Sequence, residues 1–130
     1  MPKTKSCTFV LVFIFQTLKA PKYKNIFGGI FFMSNASVAV QILPLDSEEK
    51  KTLEVVDQVI RYIQSKTDNY EVSSFETTIE GEYLEVMEIL TEFIKIAGEA
   101  HPDIFANVKV RYKGEGQVLT TDEKTSKYRK

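Results

Sequence analysis

Residues 37 to 43 alternate, with Ser37, Ala39 and Gln41 small or polar and Val38, Val40 and Ile42 apolar. A period of two predicts a strand with one buried face, and Pro44 ends it. Asp46 then offers an N-cap, with Glu49 three residues on as its capping-box partner and Glu48 adding acid to the first turn. From there to about Lys66, Leu53, Val56, Ile60 and Ile63 recur at helical spacing, with Val59 beside them. Thr67-Asp68-Asn69 reads as a loop.

Tyr70 to Gly81 is strand-like, but at twelve residues it is long for one strand. It divides into two short strands with a turn near Ser74-Phe75-Glu76, where no Gly, Pro or Asn supplies turn chemistry, and a single bent strand is the alternative. Glu82 to about Ala100 predicts a second amphipathic helix, with Tyr83, Val86, Met87, Leu90, Phe93, Ile94 and Ala97 along one stripe. Gly98 and His101-Pro102 mark its close. Asn107 to Tyr112 alternates again, Val108 and Val110 against Lys109 and Arg111, until Gly114 and Gly116 break it. The tail from Thr120 is polar, with a short helix capped by Thr120 or Thr121.

The order β-α-β-β-α-β fits an α+β, ferredoxin-like sandwich, in which one antiparallel sheet carries both helices on one face. Val38, Val40, Ile42, Ile79, Val108 and Val110 are expected to meet the helices, and Ala39, Gln41, Leu43, Ser73, Thr78, Glu80, Lys109 and Arg111 to form the opposite face. No helix is left over in this reading to cover that face. Leu43, Phe75 and the mixed polar groups there point to partial cover by a second copy of the chain.

Charge and composition narrow the functions open to this architecture. The first 32 residues hold five of the seventeen basic residues (Lys3, Lys5, Lys19, Lys22 and Lys24) and no acid, so residues 33–130 carry twelve bases against eighteen acids. Such a domain is a poor binder of phosphate backbones, and no nucleic-acid partner is expected. A lone Cys7 forms no internal disulfide, and one Cys with one His makes no metal constellation. The first strand–helix junction, Leu43-Pro-Leu-Asp-Ser-Glu-Glu49, has neither the CxxC of a copper chaperone nor a cationic phosphate cradle. His101 precedes a Pro at a helix end and reads as a solvated helix-end residue, so no nucleophile–base pair is evident and an enzyme ranks third among the readings.

The apolar run Cys7 to Phe15, behind Lys3 and Lys5, looks superficially like an export signal, but it is too short to span a bilayer. Asn25 to Phe32, with Gly28-Gly29, directly precedes Met33. The preferred reading is that residues 1–32 are a non-native or disordered extension, translated from a ribosome-binding site and spacer. An export or membrane segment and a structured extension are the alternatives. Residues 33–130 are expected to form one domain, cytoplasmic and without membrane insertion.

Ala36-Ser-Val-Ala-Val-Gln-Ile-Leu-Pro44, Tyr70 to Gly81 (especially Thr77-Thr-Ile-Glu-Gly81) and Val108-Lys-Val-Arg-Tyr112 together resemble the small, YkoF-like thiamine-binding protein family. The resemblance covers essentially all of residues 35 to 130. It implies a ferredoxin-like fold, self-association as homodimers or homotetramers, and non-catalytic binding of thiamine or its hydroxymethylpyrimidine part in vitamin salvage or transport. Thiamine would be a bound ligand rather than a catalytic cofactor. The chain departs from the family at Ser74-Phe75-Glu76-Thr77, where members often have Gly before the Thr and Pro nearby, and a bulkier, charged turn there would reshape the pocket.

The residue chemistry is compatible with such a ligand. A pyrimidine edge takes paired donors and acceptors, which Gln41, Ser73 and Thr78 supply. Phe75 and Leu43 are candidate walls for its faces, and Glu80 or Glu76 a counter-charge for the thiazolium. The expected ligand-binding set is therefore Gln41, Leu43, Ser73, Phe75, Thr78 and Glu80. The competing reading is an oligomeric interaction or regulatory module whose polar face makes subunit contacts only.

Overall fold

A computed structural model describes residues 34–130. The elements are β1 (Ala36–Pro44), α1 (Glu49–Lys66), β2 (Tyr70–Val72), β3 (Thr77–Gly81), α2 (Tyr83–Ala100), β4 (Ile104–Tyr112) and α3 (Thr121–Thr125), with a 3₁₀ turn over Ser126–Tyr128. The four strands form one antiparallel sheet in the order β2-β3-β1-β4. This is the ferredoxin-like arrangement expected from the sequence. The reading of residues 1–32 lies outside the described residues.

Strand alternation sorts the sheet into two faces. Val38, Val40 and Ile42 of β1 and Ile79 of β3 are buried against Val55, Val59 and Ile63 of α1 and Val86, Leu90, Phe93 and Ala97 of α2. Directly paired residues share a face: Val38 lies between Ile79 and Val110, and Ala39 between Thr78 and Lys109. Gly81 ends β3 where α2 comes close, and a Cβ there would meet Val86 Cγ2 at 3.2 Å. The division of residues 70–81 into two short strands is present, with the turn over residues 73–76.

Several local expectations change. Asp46 does not cap α1: its φ of 51° puts it in the left-handed region, whereas an N-cap needs extended backbone. The helix begins at Glu49, with Glu48 at the cap position making no side-chain cap bond. The buried stripe of α1 is Val55-Val59-Ile63, while Leu53 is 58% exposed. Leu53 and Val55 lie about 200° apart around a helix, so only one of them can face the sheet. Both stripes end on Ile63, and periodicity alone does not choose between them. Val110 points to the helix side as expected, but on edge strand β4 it lies beyond full cover and is 48% exposed. At the end of α2, His101 is the C-cap, and its Nε2–H donates to the Leu45 carbonyl at 2.6 Å. The ring therefore ties the helix end to the β1–α1 loop.

Ile79 is fully buried at the centre of this packing. Ile79→Ala is expected to lower unfolding free energy by about 2–5 kcal/mol, read as a lower urea midpoint with an unchanged slope.

Candidate functional site

The same alternation that buries Thr77 and Ile79 turns Thr78 and Glu80 to the helix-free face. Across that face Thr78 pairs with Ala39 on one side and Glu71 on the other, and Glu80 pairs with Ser37. The small side chains of β1 leave the Thr and Glu accessible beside them.

The chain's own C-terminal segment lies over part of this face, contrary to the expectation that no helix remains to cover it. Thr120 caps α3 in a reciprocal capping box with Glu123. The next residue reaches the sheet: both the N–H and the hydroxyl of Thr121 donate to Glu80 Oε1, at 2.6 and 2.8 Å. Eight residues on, Arg129 donates from Nη2 to Glu71 Oε2 at 2.6 Å and from Nη1 to Asp122 Oδ1 at 3.2 Å. Between strand and tail lies a recess of about 170 Å³, lined by Asp68, Asn69, Tyr70, Glu71, Thr78, Glu80, Thr121, Asp122 and Arg129. Four of these are acids and only one is a cation, so the recess favours a positively charged or hydrogen-bond-donating guest. Among the described residues, no group of three or more His, Cys, Asp or Glu is arranged to hold a metal ion.

The residues expected from sequence divide between this recess and the rest of the face. Thr78 and Glu80 line it. Gln41 and Leu43 share the face farther along β1, opposite Asn107 and Phe105. Ser73 lies one residue past the end of β2, at the start of the turn. Its N–H and hydroxyl both donate to the Glu76 carbonyl, at 3.0 and 2.7 Å, and close the hairpin. Phe75, at 79% exposure on that turn, does not line the recess. Glu76 pairs instead with Lys109 at 2.8 Å across the face.

Glu71, Thr121, Asp122 and Arg129 were not singled out from the sequence. The pattern Thr120-x-x-Glu123 announces a helix start, but nothing local shows that this helix docks 41 residues back on Glu80.

Comparisons with known proteins agree with this architecture. The family described as thiamine-binding protein matches residues 38–129. A UPF0045 protein of Clostridium perfringens (strain 13 / Type A) is 40% identical over 98 residues, 75% of this chain and the whole of that protein. A solved Streptococcus pneumoniae protein is 42% identical with a TM-score of 0.60, covering 70% of this chain and 97% of that one. A Thermotoga maritima structure, provisionally named a thiamine biosynthesis/salvage protein, is 32% identical with a TM-score of 0.64, covering 72% and 98%.

The Thr120 backbone N–H, and then its hydroxyl, hold the Glu123 carboxyl below the usual carboxylate range. A depressed folded-state pKa means that the cap's contribution is complete above the ordinary glutamate value and is lost as pH falls through the depressed one. Carboxyl NMR titration is expected to show Glu123 titrating below a free glutamate, and Thr120→Val is expected to return it toward the ordinary value.

Proposed function

The chain belongs to the thiamine-binding protein family, and on that footing we propose that it binds thiamine or its hydroxymethylpyrimidine moiety reversibly, without catalysis, in the recess over Thr78 and Glu80. The observation that carries this reading is the recess itself, where Thr78, Glu71 and Glu80 of the open sheet face meet the carboxylates of Asp68 and Asp122. Glu80 gives Oε1 to Thr121, and among the described residues its Oε2 has no hydrogen-bond partner. That oxygen suits an aminopyrimidine N–H, while Thr78 both donates and accepts. A thiazolium about 4 Å from one of these carboxylates gains about 1 kcal/mol in a watery setting and about 4 kcal/mol in a more enclosed one.

Size supports a partial fit. Sites that enclose drug-sized ligands run to about 300–1,000 Å³, so about 170 Å³ suits one ring of the vitamin. The second ring then lies along the face toward Gln41. In this reading the protein buffers or hands over the vitamin in salvage or transport, in the cytoplasm.

A second proposal concerns the rest of the face. Leu43 and Phe105 pair across β1 and β4 and are 38% and 56% exposed, a favourable surface for self-association into homodimers or homotetramers. If that contact were the whole role, the chain would be an interaction or regulatory module with no small-molecule ligand.

Thermal unfolding with thiamine, hydroxymethylpyrimidine and thiamine phosphate separates the two roles. A true ligand at about 100 times its dissociation constant stabilises by about 2.7 kcal/mol, and no shift with any of the three favours the interaction module. Thr78→Ala removes one hydrogen-bonding hydroxyl without touching the Thr121 anchor, and is expected to weaken binding about three- to tenfold in a calorimetric titration.

A further inference from the structure

The proposed recess already holds a cation. Arg129 sits against Glu71 and Asp122, and its Nη2 also reaches Thr125 Oγ1 at 3.3 Å. A guanidinium is planar and presents parallel N–H donors to carboxylates. The amidine edge of a protonated aminopyrimidine presents the same pattern. We propose that Arg129 is an internal occupant of the recess, and that the segment from Ser126 to Lys130 is a strap which a planar, cationic ligand must displace to bind, while Thr121 keeps its anchor on Glu80.

The attachment of the strap supports its release. Val118 is 3% exposed, and its N–H donates to the Ser34 carbonyl at 2.9 Å, which anchors the chain ahead of α3. Beyond that point neither α3 nor the 3₁₀ turn has a buried residue. A five-residue helix lies far below the length at which helices persist alone, so its contacts to the sheet hold it in place. Those contacts are polar: Thr121 on Glu80 and Arg129 on Glu71. The Arg129 side chain is 53% exposed, and ion pairs this open to water add little net stability. A competitor for Glu71 and Asp122 therefore meets weak resistance. Because only the fraction of molecules with Arg129 released can bind, apparent affinity is the intrinsic affinity multiplied by that fraction.

This inference rests on the recess being the ligand site, so its test uses a probe that does not depend on the vitamin. Methylguanidinium chloride is titrated into the full wild-type chain and into Arg129→Gln, following the amide NMR signals of Thr78 and Glu80, with hydrogen exchange of residues 120–130 measured alongside. Arg129→Gln is expected to bind the probe about three- to tenfold more tightly. In the wild type, saturating probe is expected to speed exchange at Ser126 to Arg129, and Arg129→Lys, which keeps the charge but loses the planar fork, is expected to bind the probe with an affinity between those of the wild type and Arg129→Gln. Equal or weaker binding by Arg129→Gln, or exchange in the strap that ignores the probe, overturns the strap. If the probe behaves as expected while thiamine and hydroxymethylpyrimidine bind neither protein, the vitamin-binding proposal fails and the strap stands.

Discussion

The alternation of β3 links folding to the site. Thr77 and Ile79 enter the layer between sheet and helices, and Ile79 is completely buried there. Thr78 and Glu80 must therefore point the other way, because successive residues of a strand cannot share a face. A one-residue slip in register would drive Glu80 into the core and expose Ile79. The burial that stabilises the sheet thus also fixes which hydroxyl and which carboxylate reach the open face.

Glu80 then has two structural neighbours of different kinds. On the sheet it stands beside Ser37, and from above it receives both donors of Thr121. A charged acceptor taking two short hydrogen bonds is a strong anchor, whereas Arg129 at the other end of the segment holds on through exposed ion pairs. The tail is firmly tied at one end and loosely at the other. An arrangement of that kind can shape a recess and still let a guest in.

Much of this was legible in the sequence, for reasons that differ from residue to residue. Period-two runs at Ser37–Leu43 and Thr77–Glu80, and the 3.6-residue stripe from Val86 to Ala97, fixed the element types, because the core selects on those periods. Face assignment for Thr78 and Glu80 followed from Ile79 being apolar. What failed was local chemistry with more than one outlet. Asp46 looked like a cap but adopts a left-handed turn. The partnership of Glu71 with Arg129 spans 58 residues, and no periodicity encodes it. Strand alternation pointed to the sheet face, and the packing of the tail shapes the recess on it.

The most direct test of the account is a crystal structure of the full chain grown with thiamine. The account predicts ligand density in the recess, with one ring within hydrogen-bond distance of the Thr78 hydroxyl and the Glu80 carboxylate and with Arg129 moved off Glu71. Density confined to the Leu43–Phe105 end of the face, with the recess and its Arg129 contacts unchanged, would contradict it.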